Sequence, residues 1–239
     1  MKKILIYGGG SIISLELIKI LDPITERFYI FCRNRENFIG KINLLNFEIR
    51  KFSIFETKLE NLENNLEKIK SLDKINGIYW IAGYTGDVSK EIVDEETCKK
   101  NISVNFLNPI LIINKLIGKL EFNSKPFIAV ITSVAGLRGR AKNIFYGSSK
   151  AALISYLSGL RQKYNDKINV VTIIPGYIRT TKFNITAPNF LVSSPDKLAK
   201  KIIDGVNKEK SIIYCSIQWK IIMLIIKFIP ENIFKRLKF

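Results

Sequence analysis

Residues 2–21 read Lys2-Lys3-Ile4-Leu5-Ile6-Tyr7-Gly8-Gly9-Gly10-Ser11-Ile12-Ile13-Ser14-Leu15-Glu16-Leu17-Ile18-Lys19-Ile20-Leu21. The short apolar run at Lys2–Tyr7 predicts a buried strand, the three glycines a turn, and Ser11–Leu21, stopped before Pro23, a helix. Glycines let a backbone come close to a pyrophosphate. A helix start adds unpaired N–H groups and the positive end of a dipole. The unit is therefore expected to be a nucleotide site with Gly8, Gly10, Ser11 and Ile12 as its contacts, although a tight turn alone would need the same glycines.

Beyond this unit, short apolar runs alternate with longer amphipathic segments. Strands are expected at Phe28–Cys32, Phe47–Phe52, Gly77–Ala82, Pro126–Thr132, Ile168–Ile174 and Ser211–Tyr214. Helices are expected at Glu56–Leu72, Glu95–Leu120 with a kink or break at Pro109, Ile144–Tyr164 and Pro195–Asn207. Near-continuous apolar strands separated by helices predict an α/β fold: a doubly wound, parallel central sheet of about seven strands with helices on both faces. Residues 1–215 form the expected domain and 216–239 an amphipathic helical extension. Ligands are expected at the carboxyl ends of the strands, near the switch in strand order.

Composition narrows the chemistry. Among 239 residues there is no histidine, which excludes a Ser–His triad, a histidine-ligated zinc and a histidine general base. Cys32, Cys98 and Cys215 lie far apart, so neither a disulfide framework nor a thiolate metal site is expected, in keeping with a reducing cytosol. Lys plus Arg number 38 against 21 acids, a net charge of +17, spread along the chain rather than gathered in one arm. Nucleic acid is accordingly not an expected partner. The N-terminal apolar run is too short for a signal-peptide core. Ile221–Ile226, closed by Lys220 and Lys227, is too short to span a bilayer.

Tyr146-Gly147-Ser148-Ser149-Lys150 sets a phenol and an ammonium four residues apart on one helix face. A nearby ammonium favours the phenolate and is expected to lower the Tyr146 pKa toward neutrality, a route to acid–base chemistry without histidine. Ser133 is expected at the carboxyl end of the fifth strand, as a ligand-facing hydroxyl or as a cap.

A glycine-rich turn after the first strand, Ser133 after the fifth and Tyr146-x-x-x-Lys150 on the next helix, in this order, resemble the short-chain dehydrogenase/reductase family, with its Rossmann fold, over residues 1 to about 215. The resemblance implies reduction of a ketone. Tyr146 would donate the proton, Lys150 would poise it and bond the nicotinamide ribose, Ser133 would hold the carbonyl oxygen, and Asn105 would position a water that relays protons. Ala82, Gly83, Pro175, Gly176, Ile178 and Thr180 become expected cofactor contacts, and a homo-oligomer through the long helices is implied. The chain departs from the family pattern at Ile12 and Ser14, which stand where glycines are usual, at Ile81 in place of Asn, and at Ser53, aligned roughly with an aspartate near the adenine. The end of the second strand, Phe31-Cys32-Arg33-Asn34-Arg35, has no acid before Glu36. Arg33 could fork onto a 2′-phosphate, so NADP(H) is expected over NAD(H).

Ser133–Arg140, Tyr146–Leu153, Ser158–Arg161 and the tail from Trp219 are similar to the decaprenylphosphoryl-2-keto-ribose reductases. This implies a polyprenyl-phosphate-linked keto-sugar substrate, a partner oxidase completing an epimerisation, and a role in cell-envelope synthesis. Alternatives are a soluble sugar or acyl ketone as substrate, or a non-catalytic dinucleotide sensor or scaffold. The tail from Trp219 to Phe239 mixes aliphatic and aromatic residues with Lys220, Lys227, Lys235, Arg236 and Lys238. It is expected either at an anionic membrane surface, giving a cytoplasmic protein peripheral to the inner face, or packed on protein.

Overall fold

The computed structural model describes residues 2–86, 95–179 and 187–237. Its centre is a seven-stranded sheet in the order β3-β2-β1-β4-β5-β6-β9. The strands are β1 (Lys2–Tyr7), β2 (Thr25–Cys32), β3 (Phe52–Glu56), β4 (Gly77–Trp80), β5 (Phe127–Ile131), β6 (Asn169–Ile174) and β9 (Ile212–Tyr214). Every pairing in it is parallel. The order reverses between β1 and β4, which opens the crevice at their carboxyl ends where such sheets hold ligands.

Alternation along β1 divides the core. Ile4 and Ile6 face a layer formed by α1 (Ile12–Leu21), α2 (Arg35–Leu44) and α7 (Pro195–Asn207). Leu5 and Tyr7 face the layer of α3 (Leu62–Lys70), α5 (Asn108–Ile117) and α6 (Ile144–Lys163). Burial on both faces explains why the strands read as unbroken apolar runs.

Four elements differ from the sequence expectation. The third strand begins at Phe52, not Phe47, because Asn46 turns through a positive φ of 56° and Ile49–Lys51 forms a 3-10 turn. The strand runs to Glu56, so α3 starts only at Leu62, capped by the Asn61 side chain. Arg35–Leu44 is a helix where none was expected; Asn34 caps it, and it buries only Phe38 and Ile42. The long segment before β5 is α4 (Glu95–Ile102), a π-helical turn at Ser103–Leu107 and α5, with Pro109 in the first turn of α5 rather than at a kink inside one helix.

Two further short strands, β7 (Tyr177–Ile178) and β8 (Val192–Ser193), pair as a small ribbon beyond β6. The chain closes with α8 (Ile217–Phe228) and α9 (Glu231–Phe234). Trp219 and Met223 of α8 are buried in the same core layer as α7. Among the described residues no helix is long and apolar enough to cross a membrane.

Candidate active site

The glycine turn is built by close approach. Gly8 has φ +94°, and a Cβ there would sit 2.7 Å from the Ala82 backbone nitrogen. A Cβ on Gly9 would sit 2.3 Å from Ile30 Cγ2. Both amides donate to the Phe31 carbonyl, and Ala82 N donates to Tyr7 O, so the turn is clamped between β2 and the end of β4. Gly10 differs: nothing lies within 4 Å of its would-be Cβ, and it borders open space at the start of α1. Ser11 caps α1 through Ile13 N–H. Ser14, in place of a usual glycine, is fully buried and donates to the Gly8 carbonyl at 2.9 Å, so the substitution adds a bond without opening the turn. Ile12 is 42% exposed at the helix start.

Charge gathers beside this turn. Arg33 follows the end of β2 and is exposed, as expected. Lys41 was not singled out in the sequence; it reaches from α2 to donate to the Gly10 carbonyl at 3.1 Å. Only the unexpected α2 brings it there. Ser53 lies opposite Tyr29 inside β3, so the position following the strand is Thr57, whose hydroxyl bonds Asn65. Ser53 therefore cannot replace the family aspartate by position.

At the ends of β4, β5 and β6 the other expected residues converge. Ser133 caps the 3-10 turn Val134–Gly136 through Ala135 N–H, and its hydroxyl acts on the Tyr146 phenol to lower its pKa. Of the two sequence readings of Ser133, the cap is the one the hydrogen bond to Ala135 N–H forms. Lys150 is 2% exposed, and its Nζ lies 3.4 Å from the Ile131 carbonyl and 5.8 Å from the centre of the Tyr146 ring. A Cβ on Gly83 would stand 3.2 Å from that Nζ and 3.3 Å from Asn105 Oδ1. The glycine thus leaves room for the two side chains to meet.

Asn105 sits in the π-helical turn. Its Oδ1 accepts from Tyr84 N–H at 2.8 Å; its Nδ2 donates to Tyr84 O at 2.6 Å and to Asn101 Oδ1 at 3.2 Å. The side chain is engaged in tying down the segment after β4.

The Tyr146 pKa departs from the sequence expectation. It is raised: desolvation dominates, while the Ser133 bond and the charge of Arg140 act in the opposite direction. Lys150 lies over the ring, with Nζ 5.8 Å from its centre. Its own pKa falls to about 8 through burial. Tyr146 therefore keeps its proton at neutral pH.

The loop after β6 closes the group. Pro175 O accepts from Val134 N–H, linking it to the Ser133 turn. A Cβ on Gly176 would lie 2.0 Å from Trp219 Nε1, so the α8 indole packs directly on this glycine. Its N–H donates to Leu191 O. Ile178 is in β7, and Thr180 lies outside the described residues. The contact of Trp219 with Gly176 was not expected from the sequence, because it joins residues far apart along the chain.

Known proteins share this fold. A solved short chain dehydrogenase from Burkholderia cenocepacia in complex with NADP superposes with a TM-score of 0.83 at 14% identity, over 100% of this chain and 98% of that one. By sequence, a dehydrogenase/reductase SDR family protein 7-like from Drosophila melanogaster is 30% identical over 151 residues, 56% of this chain but 45% of that protein. An uncharacterized oxidoreductase of Mycobacterium tuberculosis is 22% identical over 65% of this chain and 63% of its own length. The chain thus spans less than two-thirds of these relatives. A 3-oxoacyl-acyl-carrier-protein reductase from Rickettsia conorii is 26% identical over 75% of this chain and 73% of its own. The family model for short chain dehydrogenases matches residues 2–189, and the chain belongs to that family.

Proposed function

We infer that the protein is an NADP(H)-dependent reductase of a keto-sugar carried on a polyprenyl phosphate, working at a membrane surface. The observation that carries the reductase reading is the meeting of two hydroxyls, Ser133 and Tyr146, above a buried ammonium, Lys150, in a chain without histidine. The residues beside the glycine turn suit a dinucleotide: Gly10 borders open space, Ser11 starts a helix, and Arg33 and Lys41 add positive charge. A bound reduced nicotinamide supplies the hydride.

The chain's own groups do the rest. Ser133 holds the carbonyl oxygen as an oxyanion-type donor. Tyr146, kept protonated by its burial, gives its proton to the forming alkoxide. Lys150 stays charged at neutral pH and stabilises the phenolate left behind. Arg33 takes the 2′-phosphate, which is the basis for NADP(H) over NAD(H). Residues 1–215 carry these functions and 216–239 the surface contact; a partner oxidase and self-association belong to the same reading.

The lipid-linked substrate rests on the sequence likeness and on the tail. Leu224, Ile225, Phe228, Ile229, Pro230 and Ile233 line an apolar groove on α8 and α9. Arg138, on the Ser133 loop, donates to Lys227 O, Ile229 O and Glu231, which fastens this groove to the active-site loop. The likeness to a 3-oxoacyl reductase favours an acyl ketone as the second reading.

The test is NADPH oxidation with a polyprenylphosphoryl-2-keto-ribose, run beside soluble keto-sugars, a 3-oxoacyl thioester and NADH. Preference for the lipid-linked ketone with NADPH is expected, and a Tyr146→Phe variant should lose at least ~10²-fold in turnover while still binding NADPH. Turnover of the thioester alone would replace the substrate; undiminished turnover in the variant would remove Tyr146 from the chemistry.

A further inference from the structure

The loops at the carboxyl ends of β5 and β6 are held by opposite ends of α8. At its first turn, Trp219 packs on Gly176, donates from Nε1 to Leu191 O at 2.8 Å and meets the Tyr177 ring edge-on at 5.6 Å. At its last turn, the α8 carbonyls receive Arg138, which stands five residues after Ser133. Arg138 Nη1 donates to Lys227 O at 3.3 Å; Nη2 donates to Ile229 O at 3.1 Å and to the Glu231 carboxylate at 2.6 Å. The guanidinium carbon also lies 4.3 Å from the centre of the Phe234 ring in α9. The two loops are joined to each other by Val134 N–H donating to Pro175 O at 3.0 Å. Both closing helices lie past residues 2–189, the part that matches the family model.

A cation at a helix C-terminus meets unpaired carbonyls and the negative end of the dipole. A planar fork set on several acceptors fixes direction as well as distance, which a single ammonium does not. The Arg138 side chain is 20% exposed against 76% for Glu231, so the two carbonyl bonds carry the tether and the exposed ion pair adds little. The loop is not packed solid on its neighbours. A cavity of about 480 Å³ lies among Gly136, Arg138 and Gly139 of the loop, Ser148 of α6, and Glu231 and Phe234 of α9. A Cβ on Gly136 would stand 2.7 Å from the Lys150 carbonyl carbon, which seats the 3-10 turn on the backbone of α6. The turn that Ser133 caps is thus seated on α6 at its end and tethered to α8 two residues later by Arg138.

We propose that Arg138 is a positioning residue for Ser133: it uses α8 and α9 as a fixed frame and sets where the Ser133 hydroxyl stands relative to Tyr146. The inference rests on reading Ser133 and Tyr146 as the carbonyl site. Arg138 acts through Ser133 and not on the substrate. An oxyanion-type donor works in the transition state, and a misplacement of about 1 Å costs on the order of 10²-fold in rate. Loosening the tether therefore lowers kcat and leaves ground-state binding of ketone and NADPH in place.

The experiment compares wild type, Arg138→Lys, Arg138→Gln, Glu231→Ala and Met223→Ala, with NADPH and the ketone that wild type reduces fastest, well below the melting temperature of each variant. In Arg138→Gln, kcat should fall tenfold or more, with KM and the NADPH dissociation constant within threefold of wild type. Arg138→Lys should recover part of the loss. Glu231→Ala should stay within twofold of wild type, because both carbonyl bonds remain. Met223 is buried on the inner side of α8 and takes no part in the Arg138 bonds, so Met223→Ala should lower the melting temperature and keep kcat. Wild-type kcat in Arg138→Gln, or a loss that Met223→Ala matches, overturns the proposal. Hydrogen exchange reads the loop without turnover. The Gly136 and Leu137 amides, which donate to Ser133 O and Val134 O, should exchange at least tenfold faster in Arg138→Gln while those of α1 stay unchanged. Unchanged exchange overturns the tether. If Arg138→Gln does not fold, Arg138→Lys decides: lowered kcat at wild-type KM supports the proposal, and wild-type kcat with wild-type exchange overturns it. Should wild type reduce no ketone, the carbonyl-site reading falls, and the exchange rates alone decide whether Arg138 holds the loop.

Discussion

Lys150 carries an ammonium into a site that is 2% exposed, and burial alone lowers its pKa from 10.5 to about 8. Below about 8 the folded state holds a charge that the unfolded chain solvates more easily, so the residue destabilises the fold there. That penalty fades as pH rises from about 8 to 10.5, where the folded form has shed its proton and the unfolded form has not. The difference amounts to roughly 3 kcal/mol at about 1.4 kcal/mol per pH unit. Lys150→Met should therefore raise the melting temperature at pH 7 and lose most of this gain by pH 10.5, measured by calorimetry across that range. The same variant should lose turnover, because it removes the cation that lies over the Tyr146 ring. In wild type, ketone reduction should fall as pH climbs through about 8 while Tyr146 still holds its proton. A flat rate to pH 9 would mean that Lys150 acts by shape alone. Spacing in the sequence brought Tyr146 and Lys150 to one helix face, but the direction of the phenol's pKa depended on its burial in the folded chain, which spacing does not encode.

At the scale of elements, the glycine turn separates two demands that look identical in sequence. Gly8 is required by its positive φ and by the Ala82 backbone 2.7 Å from any Cβ, whereas Gly10 has open space around it. Gly8→Ala should cost about 1–3 kcal/mol of stability. Gly10→Ala should leave the melting temperature unchanged and weaken NADPH binding, read by fluorescence titration. Equal stability loss in both would show that the open space at Gly10 is not a ligand's. The strands were legible because burial on both faces leaves them apolar throughout. Helix α2 was not: it buries just Phe38 and Ile42, and a glycine at Gly40 interrupts its pattern. The start of β3 was misread because Phe47 and Ile49 are apolar residues used in a turn, with Phe47 packed against the core from outside any strand. Lys41 was lost from the expected site together with α2.

Over the whole molecule, the closing helices join an unpartnered surface to the catalytic cleft. Trp219 and Met223 face inward, while Ile217, Ile221, Leu224, Ile225 and Phe228 occupy the opposite side of α8 with exposures of 52–75%. This spacing of four, three, one and three residues is a single helical stripe. Lys220, Lys227, Lys235 and Arg236 surround it, all exposed, on a chain of net charge +17. A second protein copy would meet the same positive rim, whereas an anionic bilayer would meet its complement, at about 1 kcal/mol per near-surface charge. The protein should therefore float with vesicles containing phosphatidylglycerol, stay behind with pure phosphatidylcholine, and release as salt rises. Deleting residues 217–239 would also remove Trp219 from the core, so the sharper variant is Ile225→Ser with Phe228→Ser, which alters only the exposed side. It should keep its melting temperature and lose flotation. If instead the double variant floats as wild type does, the lysines bind without the stripe. If wild type never floats but sediments as a dimer that the same two changes dissociate, the stripe is a contact between copies. Because Arg138 ties the Ser133 loop to the ends of these helices, vesicles that bind the protein should also change the turnover of a soluble ketone. The double variant should show no such change.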